Sequence, residues 1–393
     1  MENINLKTYY MVIKIIGDFV NNKIIDKDFF NENIIDVANE ENSQKIYIGR
    51  IYYIAKKHNL VSIMAQAMEN MGFESDSDIW KRWLKEKNQL IYKSVLMDVE
   101  REAIQDFFEK NNIWYMLLKG MVIRKYYPAP ELREMADNDI LFDNKYSKEV
   151  YEFMTARGYK SDDYNKGYHD EYLKPPAYNF EMHRQLVSSK ERPKWYEYYK
   201  DVKSILIKDT NENRETAANS ESNNTSNQFY FSDNDFYVYF IVHTYKHFLN
   251  SGMGLRTVLD VYLYVSNLQE KLDFDYIEEQ LKKLDAYDFE QTFRSIAFKM
   301  FDENLEDRKW WDLFDVKEQE MLSYVLDAGT YGNLENSVAH KMGYTKGEKK
   351  KASDKVKYIF RRLFPSMDTI EEFFPFFYKH KWAIPFLYIY RIG

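Results

Sequence analysis

Between residues 111 and 208 the chain stops reading as helix and breaks into short apolar runs, while helical periodicity holds on either side. Ile113-Trp-Tyr-Met-Leu-Leu118 has the length and character of a buried strand and ends at Lys119-Gly120. A helix is expected from about Met121 to Tyr126, stopped by Pro128 and Pro130. Asp137 to Phe142 reads as a second strand, residues 147–157 as a short helix, Tyr178 to His183 as another strand and Ile205-Leu-Ile207 as one more. The class this predicts is α+β, a small mixed sheet at 111–208 flanked by N-terminal and C-terminal helical regions.

The flanks support that division. Residues 1–110 form the N-terminal helical region: short helices over 5–72, then one long amphipathic helix over 79–110. In it Trp80, Trp83, Leu84, Ile91, Val95, Val99 and Phe107 recur at helical spacing. Residues 209–228 are nearly free of apolar side chains and read as an exposed loop or linker. Residues 229–393 return to helical period. Ser232 with Asp235 is a capping box opening a helix that carries Phe240, His243, Tyr245 and His247. Gly252 and Gly254 end it, and a second helix spans Leu255 to Leu268. Residues 344–357 are Lys-rich and expected in solvent, and Phe373 to Tyr390 reads as a packed terminal helix or hairpin.

Composition removes several functions. The net charge of -8 argues against a bulk nucleic-acid binder, whose phosphate contacts need surplus Lys and Arg. With no cysteine, thiolate metal sites and Cys nucleophiles are excluded, and a reducing cytoplasm is the expected location. The first residues lack a basic, then apolar, secretory pattern, and no run of about 18 apolar residues predicts a membrane span. No Walker-type loop or dinucleotide fingerprint follows an expected strand.

The acids carry more information. Among 63 Asp and Glu, roughly ten acidic i,i+2 pairs arise by chance, so context must discriminate. Asp-Asn-Asp occurs twice. At 233–235 it heads a helix, where capping and the helix dipole explain it. At 137–139 it runs into Ile140-Leu141-Phe142, a strand pattern in which alternate residues share a face about 7 Å apart. Two carboxylates so placed repel unless cations lie between them. Glu181 stands in a second apolar strand pattern, Phe180-Glu-Met-His183; if those strands are neighbours, three hard-oxygen donors converge as two Mg²⁺ ions require.

The order Leu117-Leu-Lys-Gly120, Tyr127-Pro128, Leu132-Arg133-Glu-Met135 and Asp137-Asn-Asp-Ile-Leu-Phe142 resembles the uncharacterised nucleotidyltransferase family, within the polymerase-beta-like nucleotidyltransferase superfamily. Phe180-Glu-Met-His183 resembles the motif carrying the third acid. Gly254-Leu-Arg256 to Asp260 and Arg361-Arg-Leu-Phe-Pro365-Ser resemble further family segments. The resemblance extends over roughly residues 60–393 and is dense near 114–143 and 169–186. The chain departs from the superfamily at Lys119-Gly120-Met121 in the turn, and at Asn138, which should leave the face opposite the acids less buried.

The resemblance implies a nucleotidyltransferase core at 111–208 with Asp137, Asp139 and Glu181 as catalytic, metal-holding residues for two Mg²⁺ ions. An NTP such as ATP would be the donor. Lys119, Gly120 and Arg133 are candidates for nucleotide contact, Gly120 by letting backbone approach the triphosphate at a helix N-terminus. His183, His243 and Arg256 are candidates for lining the substrate site. His183 could instead be a hydrogen-bonding partner of the acids, and Arg256 could form an ion pair with Asp260 one turn on. The acceptor would be a hydroxyl of a small molecule, sugar or protein. Two alternatives stand beside this: transfer to an RNA acceptor, disfavoured by the charge, and a catalytically silent nucleotide- or protein-binding module. No membrane partner is expected.

Overall fold

The computed structural model describes residues 6–23, 27–35, 46–176, 178–189, 192–210, 226–250, 252–301, 310–329, 367, 370 and 375–390. Along the chain run α1 (Leu6–Val20), α2 (Lys27–Asn33), β1 (Ile34–Ile35), β2 (Ile46–Tyr47), α3 (Ile48–Lys57), α4 (Val61–Asn70) and α5 (Asp78–Lys110). Next come β3 (Tyr115–Leu117), α6 (Gly120–Ile123), β4 (Asn138–Phe142), α7 (Ser147–Ala156), β5 (His169–Lys174), β6 (Tyr178–His183), α8 (Pro193–Tyr199), β7 (Ile207–Lys208) and β8 (Gln228–Tyr230). Helices close the order: α9 (Asp233–Asn250), α10 (Leu255–Leu268), α11 (Phe274–Lys283), α12 (Tyr287–Phe301), α13 (Val316–Ala328), α14 (Pro375–Lys379) and α15 (Ile384–Tyr390). The α+β class is observed. The Lys-rich 344–357 and the Arg361–Ser366 motif lie outside the described residues.

The chain divides into two units. One holds the described residues of Met1–Ala103, Lys119–Ala136 and Ser232–Ser337; the other holds those of Ile104–Leu118, Asp137–Phe231 and Val338–Gly393.

The second unit is built on a six-stranded mixed sheet in the order β5-β6-β4-β3-β8-β7. β4 pairs parallel with β6 and antiparallel with β3, and β5 pairs antiparallel with β6. Period-two alternation then sorts the side chains. Tyr115, Ile140, Phe142, Tyr172, Phe180 and Met182 form one apolar cluster with Ile104 and Phe108 of α5 and Val150 and Met154 of α7. Phe108 stacks on Tyr115 and Phe142 with ring centroids 5.1 and 6.0 Å apart. Burying each such ring removes apolar surface worth about 1.5–3 kcal/mol. This dry face leaves Asp139, Glu181 and their neighbours to the other.

Asn138 corrects an expectation. It lies on the dry face and is buried to 1% exposure rather than thinning the packing, although its Oδ1 has no hydrogen-bond partner among the described residues. Asp170 is buried on the same face, with Arg184 at 3.2 Å and a hydrogen bond from the Asn165 N–H. Burial raises the Asp170 pKa, and the Arg184 charge opposes that rise.

The first unit is helical. Trp80, Trp83, Lys87, Ser94 and Met97 mark the buried line of α5, whereas Val95 and Val99 are exposed. The expectation misplaced that line because two of its positions are polar. Lys87 pairs with Glu69, and Ser94 accepts from Arg124, so burial there is compensated. Half of the expected α9 capping box is seen: the Asp235 N–H donates to Ser232 Oγ, while the Asp235 carboxylate accepts from that hydroxyl. In the terminal segment Ala383 and Leu387 are buried, but Phe376, Trp382 and Phe386 are exposed, so its aromatics are not all packed as expected. No helix among the described residues is long and apolar enough to cross a membrane.

Candidate metal and transfer site

The site is assembled by strand register in the second unit. On the parallel strands β4 and β6, Asp139 stands opposite Glu181 and Leu141 opposite His183. On β5, antiparallel to β6, Glu171 stands opposite Glu181 and His169 opposite His183. Register partners share a face, so one row of the sheet carries Asp139, Glu181 and Glu171, and the next carries Leu141, His183 and His169. An apolar opposite face locks this arrangement, since a one-residue slip would turn the acids into the core.

His183 Nε2 lies 2.8 Å from Asp139 Oδ1 and 3.4 Å from Glu181 Oε2. An ionised carboxylate only accepts, so this ring nitrogen carries the proton and donates to Asp139. Both partners are deeply buried, Asp139 to 2% and His183 to 1% exposure, and a buried carboxylate requires such a donor. The His169 ring stacks on that of His183 at 5.0 Å, and its Nε2 is 3.9 Å from Glu181 Oε2. Asn179 donates to Glu171 across 3.3 Å. His183 is thus a hydrogen-bonding partner of Asp139.

The ligand atoms of Asp139, Glu181 and His183 lie within 4.8 Å of one another. Two carboxylates from adjacent strands are hard donors of the kind Mg²⁺ takes, and their side-by-side register suits a shared divalent ion. Asp137 is half-buried, one residue before β4, and is not a member of this cluster. His169 and Glu171 were missed from the sequence. Their strand, His169-Asp-Glu-Tyr-Leu-Lys174, has a carboxylate at a buried position, so it lacks the apolar alternation that marks a strand.

The remaining candidates belong to the first unit. Lys119 is half-buried and has φ 48°, a left-handed conformation strained for a residue with a side chain. The helix after it is a single turn over Gly120–Ile123, continued as a 3₁₀ turn to Tyr126. The extent is as expected, but the second half is 3₁₀ and the α-helical part is too short to build a dipole of its own. A Cβ on Gly120 would overlap the Arg133 guanidinium and lie 2.6 Å from the Met135 sulfur, so this position is closed by packing.

Arg133 is buried and grips Asp260 through Nε at 2.8 Å and Nη2 at 2.7 Å. The Tyr127 hydroxyl donates to the same carboxylate at 2.8 Å. The ion pair expected between Arg256 and Asp260 is therefore replaced: Arg256 donates instead to the Glu134 carbonyl at 2.7 Å. A guanidinium fork on a separate segment can meet both oxygens of Asp260 at once, which explains the preference. The Nε2 atoms of His243 and His247 are 2.9 Å apart, one ring donating to the other.

The sequence model of the uncharacterised nucleotidyltransferase family matches residues 44–302, about two thirds of the chain. Searches of curated proteins and of solved structures return no match.

Proposed function

The chain belongs to the uncharacterised nucleotidyltransferase family, and on that premise we propose that it moves a nucleoside monophosphate from an NTP to an acceptor hydroxyl of a small molecule, sugar or protein. The observation that carries this reading is the register that sets Asp139 beside Glu181 on neighbouring parallel strands. Asp139, Glu181 and Asp137 are the residues assigned to hold two Mg²⁺ ions. What bound Mg²⁺ supplies is neutralisation of phosphate charge and a lowered pKa for the attacking hydroxyl.

The residues of the chain do the rest. Glu181, less buried than Asp139, accepts the hydroxyl proton. The acceptor oxygen bonds to the α-phosphorus, the bond from that phosphorus to the bridging oxygen breaks, and pyrophosphate departs with the electron pair. His183 holds the Asp139 carboxylate in place, which makes it a positioning residue. Lys119 is assigned to the triphosphate. Arg133 supports that segment through Asp260 rather than touching phosphate, because phosphate contact would break a buried ion pair.

The test is thermal shift with ATP, GTP, CTP and UTP, with and without Mg²⁺, on wild type and the Asp137→Ala/Asp139→Ala variant. A nucleotide at a hundred times its Kd adds about 2.7 kcal/mol of stability. The reading expects a Mg²⁺-dependent shift that the double variant loses. A shift that survives in the variant, or no shift with any nucleotide in folded protein, refutes it.

A further inference from the structure

Where β4 ends, a cavity of about 210 Å³ is lined by Leu141, Phe142 and Asp143. Leu141, which lines it, follows Asp139 by two residues on β4 and is the register partner of His183. One wall of the cavity thus stands one same-face step along β4 from Asp139, about 7 Å between backbone positions. Its walls come from Trp114, just before β3, and from Tyr196 and Tyr199 of α8. Trp114 is half-buried, with Phe229 edge-on at 6.1 Å and the Lys203 ammonium 5.2 Å over its ring. The charges of the lining are Asp143 and Asp201 against Arg184, Lys200 and Lys203, and Asn144 and Gln185 add amides. Arg184 is paired with Asp170 at 3.2 Å and Lys200 with Glu197 at 2.6 Å.

The geometry points to this cavity as the acceptor subsite, and to a monosaccharide-sized polyol ring as the acceptor; this rests on the transfer reading above. The volume falls below the roughly 300–1,000 Å³ of pockets for drug-sized ligands, which limits the occupant to about one ring. Aromatic faces pack against the C–H faces of such a ring. Carboxylate and amide oxygens accept its hydroxyls, and the amide N–H groups of Asn144 and Gln185 donate to it. The volume disfavours the alternative occupant, the donor nucleotide, whose base, ribose and triphosphate together far exceed one ring, and two of the lining cations are already engaged, Arg184 with Asp170 and Lys200 with Glu197. A ring hydroxyl on the Leu141 side is the attacking group: its oxygen gains the α-phosphorus, its proton passes to Glu181, and pyrophosphate leaves with the broken bond's electrons.

The experiment is saturation-transfer NMR on the full chain without nucleotide, using glucose, galactose, mannose, N-acetylglucosamine and myo-inositol as probes. Gln185→Ala changes an exposed residue and Tyr196→Ala a half-buried one, so both variants should keep the wild-type circular dichroism and melting temperature. At least one probe should give a wild-type signal, with affinity falling tenfold or more in both variants. No signal from any probe, or a signal unchanged in the variants, overturns the proposal. So does a Mg²⁺-ATP thermal shift lost in Tyr196→Ala, which would assign the cavity to the donor. Because probe binding is read without nucleotide, failure of the transfer reading at Asp137 and Asp139 shows separately.

Discussion

Arg133 and Asp260, far apart in sequence, form a buried bidentate ion pair, with guanidinium side chain and carboxylate exposed by only 7% and 2%. Removing one partner strands the other charge away from water. Asp260→Asn or Arg133→Met should each cost about 3–5 kcal/mol, measured by urea unfolding. Arg133→Lys should recover little, since an ammonium cannot span both oxygens. A cost below about 1 kcal/mol for all three would show that the pair is dispensable to the fold.

Gly120 extends the same point. A Cβ there meets the Arg133 guanidinium, whose position Asp260 fixes, so the clash cannot be relieved by swinging a free side chain. Gly120→Ala should destabilise by about 1–3 kcal/mol. Combined with Asp260→Asn, which loosens Arg133, its cost should shrink, giving a non-additive double-mutant cycle. Strict additivity would place the conflict with Met135 instead.

The strands that carry the candidate acids could be read before the fold was known, and the limits have physical causes. Tyr178 to His183 shows period-two alternation with an acid on the polar phase, and β6 has those ends. Asp139 and Glu181 could be placed on one face each, but only register makes them neighbours. β5 stayed hidden because Asp170, on its buried phase, is compensated by Arg184, a partner ten or more residues on. Asp260 likewise chose Arg133 over the nearer Arg256, and sequence spacing carries no information on such long-range pairs.

In the proposed transfer reading His183 acts through Asp139, its hydrogen-bond partner, so its loss should be graded. His183→Ala should lower metal affinity or transfer rate by about 10–100-fold, the range seen when a partner of a ligand is removed. His183→Gln, whose amide can still donate, should recover part of it. The discriminating readout is the Mg²⁺ concentration for half-maximal nucleotide stabilisation. It should rise in His183→Ala; an unchanged value with only lower melting temperature would make the histidine structural.

Two groups of the first unit give opposite pH dependences. Glu134 accepts the Ser62 N–H at 2.9 Å at the start of α4, and burial first of all raises its pKa to about 7. A folded pKa above the unfolded 4.5 means the native state binds more protons between pH 4.5 and 7, so stability falls as pH rises through that window. His58 is wholly buried: its Nδ1 accepts the Leu255 N–H and its Nε2 bonds the Tyr9 hydroxyl. Burial lowers its pKa to about 3, so its contribution is complete above pH 6.5 and is lost as pH falls toward 3. Between pH 4.5 and 6.5 the two slopes cancel. Glu134→Gln removes one of them while keeping an acceptor for Ser62. Relative to wild type, the variant should lose about 1.4 kcal/mol for each pH unit of acidification from 6.5 to 4.5, read by urea unfolding at fixed ionic strength. Parallel stability curves for the two proteins would mean that Glu134 is ionised throughout this range.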